Sequence, residues 1–164
     1  SSLLNRLLGA RLARTSSTPG RTQTVNYFRV NRKFWFVDLP GYGWAKASRT
    51  DRQRWAKVVE SYLARDPSRR LLVQLVDAKV GATALDVQAA EYFGALGIRR
   101  LVVATKADKL KRGERAAALV GIRTALTLGE GADLLPVSAV SGEGMRELWK
   151  SITDFLAGQV PPEP

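Results

Sequence analysis

Four short clusters of polar residues and glycines along this 164-residue chain have the composition of a binding site. They are "TPGRTQT" at 18–24, "DLPGYG" at 38–43, "TKAD" at 105–108 and "VSA" at 137–139. Carboxylate and hydroxyl oxygens are ligands for hard cations, and the N–H group of a glycine can approach an anion because no side chain intervenes. Asp38 is unusual, because it ends an apolar run typical of a buried strand and precedes a flexible segment containing Pro40, Gly41 and Gly43.

Composition narrows the possible chemistry. The 164 residues include no cysteine and no histidine. Disulfides, thiolate and zinc sites, and histidine-based catalysis are therefore excluded for them. No apolar run approaches the roughly 18 residues of a membrane span, and the residues that follow Ser1 do not show the charged-then-apolar pattern expected of a signal peptide. We therefore expect a soluble, cytoplasmic protein in a reducing compartment.

The charge of the chain is strongly basic and unevenly distributed. Its 26 Lys and Arg against 15 Asp and Glu give a net charge of +11, and residues 1–37 hold seven basic side chains without one acidic residue. This balance favours a polyanionic partner such as RNA, DNA or an anionic membrane surface. A solvated surface in an arginine-rich protein is the simpler alternative.

Hydrophobic periodicity predicts a single α/β domain, residues 1–158, followed by a proline-rich tail, residues 159–164. The chain opens with the helix "SSLLNRLLG" and a hairpin of "TVNYFRV" and "KFWFVDL". A helical face then carries Trp55, Val58, Val59, Tyr62 and Leu63. The strands "LLVQLVDA", "RRLVVAT" and "DLLPVSA" follow, each succeeded by a helix. Helices of this length predict a doubly wound, mostly parallel sheet with one antiparallel strand.

In such a sheet, ligands bind at the carboxyl ends of the strands. Asp38, Asp77, the segment 105–108 and the pair Ser138 and Ala139 all follow predicted strands. These polar groups, distant along the chain, are therefore expected to meet at one edge of the sheet.

The four clusters, in order and spacing, resemble the motifs of the translation-factor-like P-loop GTPases, and specifically the EngB (YihA/YsxC) family of bacterial ribosome-assembly GTPases. "TPGRTQTVNYF" is similar to the first switch, "DLPGYG" to the second, "TKAD" to the base-recognition motif and "VSA" to the last motif. The resemblance covers essentially the whole chain and implies GTP or GDP and Mg²⁺ as ligands. The family's phosphate-binding loop ends in Gly-Lys-Ser-Ser, so we expect the first strand and that loop to lie upstream of Ser1.

The resemblance assigns the magnesium ligands and the phosphate contacts. Ser1 and Thr22 would supply hydroxyls, Asp38 would hold a coordinated water, and Gly41 would offer its N–H to the γ-phosphate. The other nucleotide contacts implied in the two switches are Gly20, Arg21, Gln23, Thr24, Leu39 and Pro40. Loss of the γ-phosphate would release the loop after Asp38. Two simpler interpretations stay open: Ser1 as a helix N-cap, and Thr22 as a loop residue that caps a turn.

Recognition of the base is assigned to the last two motifs. Asp108 can accept hydrogen bonds from the N1 and N2 donors of guanine, a pair that adenine lacks. Lys106 would lay its stem along the base, and the implied neighbouring contacts are Thr105, Ala107, Val137, Ser138 and Ala139. The alternative is that "TKADKL" is only a polar loop after a strand. Asp77 is interpreted as a strand-end or helix-capping carboxylate.

The sequence does not identify a catalytic residue. Many GTPases place a glutamine directly after the glycine of the second switch to orient the attacking water, whereas this chain has Tyr42. Because a tyrosine cannot act in the same way, we expect slow intrinsic hydrolysis, completed by a partner, a monovalent cation or groups in the phosphate loop.

We therefore expect a monomeric, GTP-driven molecular switch that acts in large ribosomal subunit assembly, linked through its family to cell division and septation. Ribosomal RNA would explain the charge, and its expected contacts are Trp44, Lys46, Arg49 and Arg52. In the simpler interpretation, Trp44 packs on a neighbouring helix and these cations are solvated. The alternative function is a basic RNA-binding or interaction module on a GTPase scaffold, with weak or no nucleotide turnover.

Overall fold

The computed structural model describes residues 2–9, 25–39, 57, 59–63 and 66–159, which divide between two compact units, Ser1–Arg65 and Asp66–Pro164. The first unit contains helix α1 (Ser2–Leu8), strands β1 (Asn26–Val30) and β2 (Phe34–Asp38), and a helical stretch at 59–63. The second contains β3 (Leu71–Asp77), α2 (Ala84–Ala95), β4 (Arg99–Thr105), α3 (Arg112–Ala125), β5 (Leu134–Pro136) and α4 (Met145–Ala157). Short 3₁₀ turns lie at Pro67–Arg69 and Ala107–Lys109.

The predicted hairpin in the first unit is confirmed. Strands β1 and β2 pair in antiparallel register from Asn26 opposite Asp38 to Val30 opposite Phe34. The turn between them places Asn31 and Arg32 at φ angles of 49° and 58°. Positive φ at two successive residues suits a tight hairpin turn, because its twist matches that of the strands.

The two predicted helical regions of the first unit are also present where the structure describes them. Helix α1 ends at Gly9, whose φ of 64° is the left-handed conformation that commonly closes a helix. In the stretch 59–63, Val59 and Leu63 are buried as the apolar pattern predicts, whereas Trp55 and Val58 lie outside the described residues.

The second unit is built on a parallel sheet in the order β3-β4-β5, with helices between successive strands. The predicted α/β class is thereby confirmed. The two hairpin strands pair with each other in a two-stranded antiparallel sheet of their own. None of the helices in the described ranges is long and apolar enough to cross a lipid bilayer.

Both faces of the central strand β4 are buried along residues 101–104, which explains the apolar run "LVVA". Val102 and Ala104 join one cluster with Ala90 from α2 and with Ile122, which is fully buried in α3. Leu101 and Val103 point to the opposite face and are equally inaccessible. Arg99 shares that second face, and its guanidinium lies 5.9 Å from the ring of Phe155, so α4 packs there.

Helix α2 begins at a local capping box. The Thr83 hydroxyl accepts a hydrogen bond from the Asp86 N–H at 3.3 Å, and the Asp86 carboxylate accepts one from the Thr83 N–H at 2.7 Å. Two helix-end N–H groups that would otherwise lack partners are satisfied in this way. The capping box therefore defines Thr83 as the residue at which the loop from β3 ends and α2 begins.

Candidate functional site

The ends of the three parallel strands bring the predicted base-recognition residues to one edge of the sheet. Asp77 stands opposite Thr105 in the register of β3 and β4, and Ala104 stands opposite Pro136 in the register of β4 and β5. The segments 105–108 and 137–139 follow directly. Their predicted convergence is therefore observed, and their contact with a nucleotide stays a prediction.

Backbone hydrogen bonds join the two loops to each other. Val137 donates its N–H to the carbonyl of Ala104 at 2.8 Å, and accepts the N–H of Ala107 at 3.2 Å. The Thr105 hydroxyl donates to the carbonyl of Val76 at 3.1 Å, which ties the start of the loop to β3. The two bonds of Val137 use only main-chain atoms, so they do not depend on which side chains the two loops carry.

Ser138 is a fully buried polar residue at the centre of this edge. Its Oγ accepts hydrogen bonds from the N–H groups of Val140 and Ser141, at 3.2 and 3.0 Å. The pKa of Asp108 lies below its ordinary value, chiefly because the Ser138 hydroxyl hydrogen-bonds to its carboxylate. Asp108 is therefore ionised at neutral pH and can only accept hydrogen bonds, as the pairing with two guanine donors requires.

Lys106 adopts an unusual backbone conformation and carries an exposed side chain. Its φ of 57° and ψ of 34° are left-handed, and its side chain is 63% exposed. The Lys106 Nζ lies 2.6 Å from Oδ2 of Asp77. The ion pair anchors the ammonium group while the aliphatic stem remains accessible to a flat ligand.

Asp77 was expected only as a strand-end or helix-capping carboxylate, and the structure gives it a larger role. Its Oδ1 accepts the N–H groups of Lys79 and Val80 at 2.9 and 3.3 Å, so it caps a turn, whereas the cap of the next helix is Thr83. Burial raises the pKa of Asp77, but the hydrogen bonds from Lys106 and these N–H groups outweigh it, and the pKa lies below its ordinary value. Asp77 is the last residue of β3, so the strand-end interpretation is confirmed, whereas the cap of the next helix is Thr83. The sequence carried no signal for the pairing of Asp77 with Lys106.

An arginine that sequence reasoning missed braces the two loops. Arg115 at the start of α3 donates to both carboxylate oxygens of Glu143, and its Nη2 also donates to the carbonyl of Ala107 at 3.1 Å. The backbone carbonyl of Glu143 in turn accepts the Ser138 N–H at 3.0 Å. One side chain thus links the residue before Asp108 to the loop that holds Ser138. This bidentate geometry is specific to a guanidinium group.

Gly144 allows the loop after β5 to pass close to the strand. Its φ is 73°, and a Cβ atom placed on it would lie 2.1 Å from the carbonyl oxygen of Pro136. A side chain cannot be accommodated there without moving the backbone. The "SGEG" run at 141–144 is the sequence signal that could have pointed to this close approach.

The residues predicted to bind phosphate and metal are only partly described. Asp38 ends β2 and is half-buried, and Leu39 follows it. The following predicted residues lie outside the described ranges: Ser1, Gly20, Arg21, Thr22, Gln23, Thr24, Pro40, Gly41, Tyr42, Trp44, Lys46, Arg49 and Arg52. Within the described part of the chain, no group of three or more acidic side chains could hold a metal ion.

Comparison with known sequences identifies the class of protein. A family model described as "50S ribosome-binding GTPase" matches residues 1–106, more than half of the chain. The probable GTP-binding protein EngB of Pelotomaculum thermopropionicum is 48% identical over 153 residues, covering 93% of this chain and 77% of the relative. That of Lachnoclostridium phytofermentans is 39% identical over 157 residues, covering 95% and 78%. The chain belongs to the EngB family of GTP-binding proteins, and it is a GTPase.

Solved structures agree on the fold. A crystal structure of a probable GTP-binding protein EngB superposes with a TM-score of 0.78 at 19% identity, covering 97% of this chain and 93% of that one. Era, crystallised with MgGDPNP and a segment of 16S ribosomal RNA, superposes with a TM-score of 0.73 at 24% identity, covering 100% of this chain and 55% of that one. At these identities the likeness concerns the fold.

Proposed function

We propose that this protein is a cytoplasmic, Mg²⁺-dependent GTP switch that hydrolyses GTP slowly and acts in assembly of the large ribosomal subunit, with a link to cell division and septation. The observation that carries the proposal is the joining of the loop that holds Lys106 and Asp108 to the loop that holds the buried Ser138, at one edge of the sheet. The ribosomal part is supported by the match of residues 1–106 to the family of 50S ribosome-binding GTPases.

Guanine recognition follows from the chemistry of this edge. The Asp108 carboxylate accepts two N–H groups from one edge of guanine, and adenine would leave it with an unmatched acceptor, which is costly where water is excluded. Lys106 covers one face of the base with its stem while Asp77 holds its ammonium group in place. The loop containing Ser138 closes the other side.

The donor set proposed for the metal suits Mg²⁺. Hydroxyl oxygens of Ser1 and Thr22, together with Asp38 acting through water, are hard ligands, and Mg²⁺ ordinarily retains several waters. When bound, the ion neutralises charge on the β- and γ-phosphates. Asp38 ends the paired strand β2, which gives the carboxylate a rigid base, and Gly41 follows within the segment that senses the γ-phosphate.

Hydrolysis is proposed to be slow because Tyr42 occupies the position where many GTPases use glutamine. The phenol group has no carbonyl with which to orient the attacking water. A partner or a cation would therefore supply the missing stabilisation of the transition state. This dependence suits a switch, since the lifetime of the GTP state is then controlled by the complex in which it works.

Co-sedimentation of the full-length gene product with purified large ribosomal subunits tests the proposal. We expect more protein in the pellet with a non-hydrolysable GTP analogue than with GDP, and less as salt rises, because phosphate contacts release counterions. Replacing Lys46, Arg49 and Arg52 by alanine should reduce co-sedimentation while GDP affinity stays near wild type. Identical pelleting in both nucleotide states would refute the switch. Absence of nucleotide binding, with RNA binding retained, would support the alternative of a basic RNA-binding module on a GTPase scaffold.

A further inference from the structure

One face of the hairpin formed by β1 and β2 exposes aromatic rings and a cation side by side. Side chains of a strand alternate between its two faces, and Tyr27, Arg29 and Trp35 lie on the same one. Tyr27 is 53% exposed and Trp35 55% exposed, whereas Phe28 and Phe36 on the opposite face are half-buried. Two large rings left this open to solvent mark a contact surface.

The exposed rings are held in place by one another. Arg29 stands opposite Trp35 in the register, and its guanidinium lies 5.7 Å from the centre of the indole ring. Tyr27 meets Trp35 edge-on, with ring centres 6.3 Å apart and planes at 86°, and also contacts Tyr62 at 6.0 Å. Groups that are already positioned lose little conformational freedom when a ligand binds.

The hairpin carries charge of one sign only along residues 26–37. Arg29 is exposed on β1, opposite Trp35, and Arg32 and Lys33 are exposed at the turn. Residues 26–37 contain no acidic side chain. We call Tyr27, Arg29, Arg32, Lys33 and Trp35 the hairpin face. It combines flat rings with cations at neighbouring positions, which matches the alternation of bases and phosphates in a single strand.

We propose that the hairpin face binds single-stranded RNA, with bases stacking on Trp35 and Tyr27 and phosphates accepting hydrogen bonds from Arg29, Arg32 and Lys33. An anionic membrane fits less well, because the exposed side chains on this face include no aliphatic group to enter the lipid. The inference rests on the proposed function in taking RNA as the partner. It adds a contact outside the nucleotide-binding residues, so RNA affinity at this face should be the same with GDP and with a GTP analogue.

Fluorescence anisotropy with a labelled 12-nucleotide single-stranded RNA, using the full-length gene product, tests the inference. Trp35→Leu should weaken binding at least about fivefold without changing its salt dependence, because it removes a stacking ring and no charge. Trp35→Phe should stay within about twofold of wild type, because it keeps a ring. Replacing Arg29, Arg32 and Lys33 by glutamine should reduce the slope of log K against log salt by about 2, at roughly 0.7 per phosphate contact.

The matched control removes three exposed positive charges elsewhere, by glutamine at Arg69, Arg112 and Arg146. An equal loss of slope in this control would overturn the proposal in favour of diffuse charge, and unchanged RNA affinity of Trp35→Leu would also overturn it. A third contrary result is binding to phosphatidylserine vesicles that Trp35→Leu abolishes while RNA affinity is unchanged. Unaltered GDP affinity in each variant shows that the fold is intact.

The proposed function and the hairpin face can fail separately. RNA binding that behaves as expected, without nucleotide-dependent pelleting of large subunits, would support the hairpin face and refute the switch. Nucleotide-dependent pelleting with hairpin variants that bind the RNA oligomer like wild type would do the reverse.

Discussion

Removal of the guanidinium of Arg115 should weaken both the fold and the nucleotide site. In the structure this group makes two hydrogen bonds to Glu143 and one to Ala107, with the two side chains 32% and 39% exposed. A buried charged hydrogen bond contributes about 1.5–3 kcal/mol, while a solvated ion pair contributes about 0–1 kcal/mol. For this half-exposed group we expect Arg115→Ala to lower the free energy of unfolding by about 2 kcal/mol.

That loss of stability corresponds to a fall in Tm of about 4–8 °C for a domain of this size. Because the brace holds the residue before Asp108, GDP affinity should also fall, by about fivefold, while the preference for guanine over adenine is retained. Calorimetry measures the GDP affinity, and thermal unfolding measures the Tm. Arg115→Lys should restore less than half of the loss, since one ammonium group cannot contact both partners.

A double-mutant cycle with Glu143→Ala separates the pair from its surroundings. We expect a coupling energy of about 1 kcal/mol between Arg115 and Glu143. Strict additivity of the two single changes, or wild-type stability and GDP affinity in Arg115→Ala, would refute the idea that this side chain braces the site.

Three further predictions concern single residues. Asp108→Asn should weaken GDP binding by roughly 30-fold or more and favour xanthine nucleotides, because the new amide donates where guanine also donates; equal affinities for ATP and GTP in the wild-type protein would contradict the underlying assignment. Gly144→Ala should destabilise the fold by about 2–4 kcal/mol through the clash with Pro136, whereas Gly121→Ala, with open space around its Cβ, should be neutral or stabilising by up to about 1 kcal/mol in denaturant unfolding. Tyr42→Ala should leave GDP affinity intact and change single-turnover hydrolysis by less than about tenfold; a loss of several orders of magnitude would assign Tyr42 a catalytic role.

Much of the fold could be predicted from local sequence, because the decisive interactions lie within a few residues. The hairpin of β1 and β2, the end of α1 before Gly9 and the strand β4 all follow from short-range steric and hydrophobic preferences. The meeting of the segments 105–108 and 137–139 at one edge was predictable from strand order alone, since parallel strands place their carboxyl ends together.

Element ends were less predictable. The last strand was expected to run through "DLLPVSA", yet β5 comprises only Leu134–Pro136. Val137 still donates its N–H to Ala104 of β4, but its carbonyl accepts the N–H of Ala107, which lies in the loop after β4. Because the apolar run continues from Leu134 to Val137, the sequence does not indicate the residue at which strand pairing ends.

The sequence by itself determined the α/β class, the family and the order of the recognition motifs. Each of these depends on short runs of neighbouring residues, namely the hydrophobic periodicity of single elements and the four motifs. Only the tertiary structure decided which charges meet. Lys106 pairs with Asp77 across 29 residues, and Arg115 pairs with Glu143 across 28. Ion pairs of this kind depend on the register of the sheet and on the packing of α3 against the loop after β5. Many cations compete for each carboxylate along a chain with a net charge of +11, and only the folded geometry selects among them.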